Sequence, residues 1–159
     1  MSTKHWSAAV FFAAVAAALA GLRADEPGQL KWQTNLNEAH RLSMESHKPM
    51  LLVFGAEWCH FCKKLERTTL TNEELARYID ANFIPVHIDA DEQKRVAEIL
   101  EVKSLPCTVV LSPEADLLTR FNGFKQASAF YDELVKAKQL HTSSVQMASR
   151  SVPGGVSRP

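Results

Sequence analysis

The feature that most constrains the fold is a five-residue apolar run that leads directly into two closely spaced cysteines. The run from Met50 to Phe54 contains no polar residue, which is typical of a strand buried on both faces of a sheet. It ends at Gly55, and Cys59 and Cys62 follow, separated by two residues. A cysteine pair with this spacing after a buried strand indicates either a redox site or half of a metal site.

The hydrophobic pattern on either side of this run alternates between strand and helix periods. It predicts an edge strand over 30–34 and strands over 83–89, 108–111 and 117–121. Helices are predicted over 35–46 and 71–79, with capping signals at Asn35 and Asn72, over 91–102 and 126–138, and around the second cysteine. Strands and helices alternate in the first part of the chain, and a β-hairpin follows near its end. This order implies an α/β fold, with a mixed central sheet and helices on both faces.

The N-terminus carries a candidate export signal. Lys4 precedes an unbroken apolar run from Ala8 to Leu19, and small residues then offer cleavage sites after Ala20 or Ala24. The run is shorter than the roughly 20 residues that span a bilayer, so we expect residues 1–24 to be a cleaved secretory signal. An uncleaved membrane anchor is the alternative.

The rest of the chain is expected to be one exported domain followed by a tail. We expect residues 25–140 to form the domain, and residues 141–159, which lack periodicity and end in Gly and Pro, to be flexible. The chain has eighteen basic and eighteen acidic residues, so it lacks the excess of positive charge that is typical of nucleic-acid-binding proteins. In an exported protein, periplasmic or secreted, disulfides can persist.

A cysteine in the first turn of a helix is a stronger nucleophile than a free one. The unpaired N–H groups and the helix dipole stabilise its thiolate, and thiol pKa values in such pairs fall to roughly 3.5–7.5. The spacing therefore makes Cys59 the attacking cysteine and Cys62 the one that resolves a mixed disulfide. A purely structural role is weak, because the pair closes almost no loop.

Metal binding is the main alternative chemistry. Cys59 and Cys62 could bind a metal with His60 or Cys107, but structural zinc usually takes four ligands from two separated pairs, and the chain has no second pair. A two-thiolate copper(I) site remains open. Cys107 directly precedes the strand over 108–111, and alternation should turn it away from the cysteine pair as a buried inert thiol. Its place beside Pro106 still permits a third ligand or another disulfide partner.

Several motifs together resemble the thioredoxin superfamily. They are Glu57-Trp58-Cys59-x-x-Cys62-Lys63 after an apolar strand and Leu105-Pro106 about forty residues later. Lys48-Pro49-Met50-Leu51-Leu52-Val53, and Glu73-Glu74-Leu75 before Phe83-Ile84-Pro85-Val86, are similar to exported members such as the periplasmic C-terminal domain of a transmembrane thiol-disulfide carrier.

The resemblance implies a thioredoxin fold and a protein thiol-disulfide oxidoreductase that needs no cofactor. Its partners would be cysteine thiols or disulfides of other exported proteins, with a reductase favoured and a membrane protein as electron donor. By the same resemblance Pro106 would be cis, and Trp58, Leu105 and Pro106 would bind the substrate. A thioredoxin-fold interaction protein without redox turnover is a further alternative.

The chain departs from the superfamily pattern at two places. Val53 stands where many thioredoxins have a buried acid that assists proton transfer, so Glu57 either takes over part of that role or is a solvated loop acid. His60 and Phe61 lie between the cysteines. His60 either makes the disulfide more oxidising or points to solvent. Phe61 either docks a partner or covers Trp58.

Overall fold

The computed structural model describes residues 30–150, and this part of the chain folds into five helices and four strands. In chain order they are α1 (Leu36–Ser46), β1 (Met50–Gly55), α2 (His60–Thr68), α3 (Glu73–Asn82), β2 (Ile84–Asp89), α4 (Lys94–Ile99), β3 (Cys107–Leu111), β4 (Leu117–Asn122) and α5 (Ala127–Arg150). The expected secretory signal lies outside the described residues.

The four strands form one mixed sheet in the order β2-β1-β3-β4. β1 pairs in parallel with β2 and antiparallel with β3, and β3 and β4 form the antiparallel hairpin. All six residues of β1 are buried, as predicted for a strand covered on both faces. The predicted edge strand over 30–34 is reduced to a single bridge between Gln33 and Val86.

Alternate side chains of β1 enter two separate apolar clusters, one on each face of the sheet. Val53 packs in a cluster with Leu65 of α2, Ile79 of α3 and Phe130 of α5. Phe54 packs in the other cluster, to which α1 and α4 contribute Ala39 and, partly buried, Val96 and Ala97. The predicted α/β fold with helices on both faces is therefore confirmed.

The predicted helix starts carry the expected side-chain caps. The Asn35 amide oxygen accepts the Glu38 N–H at 3.1 Å, and Asn72 does the same for Leu75 at 3.0 Å. Such caps satisfy backbone donors that a helix start leaves unpaired.

The last helix is longer than predicted. α5 continues to Arg150, so the expectation of a flexible tail from His141 is wrong for residues 141–150, and residues 151–159 lie outside the described part. His141 is buried and its Nε2 lies 3.2 Å from the carbonyl oxygen of His47, at the end of α1. This contact extends the packed part of α5 by a turn beyond Lys138.

None of the helices between residues 30 and 150 is long and apolar enough to cross a membrane.

Candidate active site

The cysteine pair lies where β1 gives way to α2. The Cys59 N–H donates to the carbonyl of Ala56 at 3.0 Å, which turns the chain after the strand. Cys59 is the N-cap of α2 in an extended conformation, and its sulfur accepts the Cys62 N–H at 3.1 Å. The sulfur therefore takes the position in which Ser or Asp commonly caps a helix.

The two cysteines are joined by a disulfide, with their Cα atoms 5.2 Å apart. Both are largely buried, with 5% of Cys59 and 4% of Cys62 exposed. On reduction, the Cys59 sulfur would remain against a helix N–H, at the positive end of the α2 dipole. That environment stabilises a thiolate over a thiol. The pair can therefore cycle between disulfide and dithiol.

The Leu105–Pro106 loop lies against this disulfide. The peptide bond between the two residues is cis, as the resemblance implied. Leu105 packs against the small cluster formed by Ala56 and the two cysteines, while Pro106 is buried. The Pro106 carbonyl accepts the Gly123 N–H at 2.7 Å, which ties the loop to the end of β4.

Trp58 projects beside the disulfide with 71% of its surface exposed. Its indole N–H donates to Asp91 Oδ2 at 2.8 Å, and the Asp91 backbone N–H donates to Asp89 Oδ1 at 2.8 Å. Asp91 was not among the predicted site residues, because only the folded chain brings the loop after β2 to Trp58. The ring is thus held in place although solvent surrounds it.

The three residues expected to modulate the pair all lie on the outside. Glu57 is 94% exposed in its side chain, 3.4 Å from Lys63 Nζ, as expected of the solvated alternative. His60 is exposed, and its ring meets the Phe61 ring edge-on with centroids 5.7 Å apart. Phe61 is 57% exposed and leaves Trp58 open to solvent.

A histidine and a glutamate that the sequence reasoning missed lie on the Cys62 side of the disulfide. His87 of β2 is the register partner of Val53, and its Nε2 lies 3.0 Å from Glu66 Oε1 of α2. A Cβ placed on Gly55 would lie 3.6 Å from His87 Nε2 and 3.8 Å from Cys62 Sγ. The sequence did offer one sign of His87, since it is a histidine within the otherwise apolar part, residues 83–88, of the predicted strand 83–89.

Cys107 lies apart from the cysteine pair, on the opposite face of the sheet. It is fully buried, pairs with Phe54 across β1 and β3, and belongs to the cluster with Ala39. Burial raises the pKa of the Cys107 thiol, and the positive charge of Arg120 offsets this only in part. Between residues 30 and 150 no group of three or more His, Cys, Asp or Glu side chains could hold a metal ion.

Alkylation of the reduced protein should separate these thiols. We expect iodoacetamide to modify Cys59 first and Cys107 at least about 10-fold more slowly, because thiolate character and access both favour Cys59. Peptide mapping at successive times measures both rates. Equal rates in the folded protein would contradict the buried position of Cys107.

A disulfide at a helix start, beside a cis proline loop on a mixed sheet, defines the class of thioredoxin-like thiol-disulfide oxidoreductases. Residues 36–138 match the family model described as a thioredoxin-like domain. The chain therefore belongs to this family, and the resemblance in the sequence motifs is confirmed.

Individual relatives agree with this assignment. The chain is 28% identical over 98 residues to the thiol:disulfide interchange protein DsbD of Photorhabdus laumondii, a match that covers 58% of this chain and 17% of that protein. A solved structure titled DsbH oxidoreductase has a TM-score of 0.63 at 22% identity, covering 77% of this chain and 93% of that one.

The oxidised C-terminal domain of Neisseria meningitidis DsbD has a TM-score of 0.57 at 22% identity, covering 67% of this chain and 98% of that domain. At these identities the two solved structures show the shared fold. The chain spans less than a fifth of the length of the Photorhabdus protein.

Proposed function

We propose that this protein is an exported thiol-disulfide oxidoreductase that exchanges electrons with cysteine pairs of other proteins, and that it acts mainly as a reductase. The observation that carries the proposal is the Cys59–Cys62 disulfide, with the Cys62 N–H on the Cys59 sulfur and the Leu105–Pro106 loop packed beside it. The domain responsible would extend from residue 25 to about residue 140.

The chemistry divides between the two cysteines. In the reducing direction the Cys59 thiolate attacks a substrate disulfide, forming a mixed disulfide and releasing one substrate thiolate. Cys62 then loses its proton and attacks the Cys59 sulfur, which closes the observed disulfide and releases the second substrate thiolate. Two electrons pass from the pair to the substrate, whose two thiolates take up protons.

The substrate would bind across the surface that surrounds Cys59. Trp58 and Phe61 present exposed aromatic area on one side, and the Leu105–Pro106 loop contributes backbone groups on the other. Aromatic side chains of this kind commonly anchor protein partners. We propose that Asp91 holds the Trp58 ring ready for this contact.

The proposed location and electron donor are supported by the family relatives. Two of the relatives are DsbD proteins, named for thiol:disulfide interchange. Together with the candidate signal over 1–24, this favours an extracytoplasmic protein that receives electrons from a membrane donor.

The reduction potential tests the proposed direction. We expect a value nearer the roughly −270 mV of thioredoxin than the roughly −120 mV of the strong periplasmic oxidant. Because the His60 ring is exposed and rests on Phe61, His60→Ala should move the potential by less than about 30 mV. Equilibration with glutathione buffers measures both proteins, and a wild-type potential near the oxidant's value would refute the reductase assignment.

A further inference from the structure

Next to Cys62 lies a group that can take up and release a proton, the imidazole of His87. Because position 53 of β1 is a valine, no carboxyl group is present there to accept a proton. Cys62 must nevertheless lose a proton each time it closes the disulfide. Val53 lies beside His87 in the parallel pairing of β1 and β2, so His87 occupies the neighbouring place on the same face of the sheet.

Gly55 leaves the space between His87 and Cys62 open. The position that a Cβ on Gly55 would occupy lies 3.6 Å from His87 Nε2, 3.8 Å from Cys62 Sγ and 3.5 Å from Cys62 Cβ. The imidazole nitrogen and the sulfur therefore border the same gap. These three atoms are the nearest to that position outside Gly55 and its chain neighbours.

Glu66 completes the arrangement. One turn beyond Cys62 on α2, its Oε1 lies 3.0 Å from the same His87 Nε2, and the two side chains are 44% and 38% exposed. Once the ring has taken up a proton at Nε2, a carboxylate in this position accepts that N–H and stabilises the imidazolium.

A route to solvent begins at this pair. A cleft of about 540 Å³ is lined by His87 and Glu66 together with Trp32 and Thr71. The Trp32 ring meets the His87 ring edge-on, with centroids 6.1 Å apart. A proton placed on the pair can therefore leave to bulk water without crossing the substrate surface around Cys59.

We propose that His87 is the proton acceptor for Cys62 and that Glu66 is its positioning residue. In the reduced protein the neutral ring carries its proton on Nδ1, so the Nε2 lone pair takes the Cys62 S–H proton, directly or through one water. The resulting thiolate attacks the Cys59 sulfur of the mixed disulfide, and the substrate thiolate leaves. His87 is then an imidazolium whose Nε2–H is donated to Glu66 Oε1, the atom that lies 3.0 Å from Nε2 in the oxidised structure, and the proton then passes to the cleft.

From α2, Glu66 contacts the His87 imidazole and Cys62 borders the same gap. Gly55 and Val53 of β1 and Trp32 of the N-terminal segment, which also lie next to the ring, carry no charge. Removing His87 should therefore slow the step and move its pH dependence towards that of an unassisted thiol, about 8.5.

The inference rests on the proposed function, in which Cys59 attacks the substrate and Cys62 resolves the mixed disulfide. One experiment distinguishes failure of the inference from failure of the proposed function. Reduced protein is mixed rapidly with the aromatic disulfide dithiobis(nitrobenzoate) between about pH 5 and pH 9, a range that spans the ordinary histidine and thiol pKa values. The first coloured thiolate released reports the attack by Cys59, and the second reports the attack by Cys62.

In His87→Gln we expect an unchanged first release, a second release slowed about 10- to 100-fold near pH 7, and its pH profile moved to higher pH. Glu66→Gln should also slow the second release and move its pH profile to higher pH, but by a smaller amount. The matched control is His40→Gln on α1, which should match the wild-type protein in both phases and in the pH profile.

Two results would overturn the proposal: a second release in His87→Gln with the rate and pH profile of the wild type, or both phases slowed equally. If circular dichroism shows that His87→Gln is unfolded, Glu66→Gln on the half-exposed face of α2 decides by the same criteria. A wild-type protein that releases only one thiolate would instead refute Cys62 as the resolving cysteine, and the proton acceptor with it.

Discussion

Replacing Cys59 by Ser should reduce disulfide exchange to the uncatalysed rate, a loss on the order of 10³-fold or more of the kind seen when an enzyme loses its nucleophile. The hydroxyl of serine does not ionise near neutral pH, so the stabilisation that the Cys62 N–H and the α2 dipole give a thiolate would have no thiolate to act on. Reduction of insulin disulfides with dithiothreitol as electron source measures the change.

Cys107→Ala is the matched control for the loss of a sulfur atom. It also removes a thiol, but from the opposite face of the sheet, so it should keep most of the exchange activity while losing some stability. If Cys59→Ser retained the wild-type rate, or if Cys107→Ala lost activity to the same degree while folded, Cys59 would not be the attacking group.

Phe130→Ala should destabilise the fold by about 3–5 kcal/mol, as deletion of a buried aromatic ring commonly does. Phe130 is fully buried on α5, and its ring meets the Phe121 ring of β4 edge-on with centroids 5.1 Å apart. Urea unfolding of the oxidised protein measures the free energy.

Leu140→Ala provides the comparison on the same helix. Leu140 is 52% exposed, and its truncation should change the free energy of unfolding by no more than about 0.5 kcal/mol. Similar losses for both substitutions would contradict the burial of one face of α5 against the sheet.

Most elements of the fold followed from local pattern because they carried their own signals. Met50 to Phe54 had the uninterrupted apolar pattern of a strand covered on both faces, and Asn35 and Asn72 marked helix starts through their side-chain oxygens. The end of α5 carried no such signal. Residues after Lys138 lack apolar periodicity, and the helix continues past a contact of His141 with the end of α1, ninety-four residues away in the chain.

The site was predictable where its residues are neighbours in sequence and not where the fold brings them together. Cys59, Cys62 and Trp58 share one short motif. His87 belongs to another strand, and only the pairing register of β1 and β2 places it beside Val53 and the cysteines. The sequence suggested Glu57 as a substitute for the missing acid because it is close in the chain. The folded protein instead has Glu57 in solvent and a half-exposed Glu66 in contact with His87.

The central claim is that Cys59 forms mixed disulfides with other proteins and Cys62 resolves them. It is tested most directly by expressing the full chain as Cys62→Ser in its own organism and isolating covalent adducts after acid quenching and alkylation. The account predicts adducts with extracytoplasmic proteins that are attached through Cys59, released by reductant and absent from a Cys59→Ser/Cys62→Ser control. Recovery of none, under conditions that trap adducts of a known oxidoreductase, would contradict it.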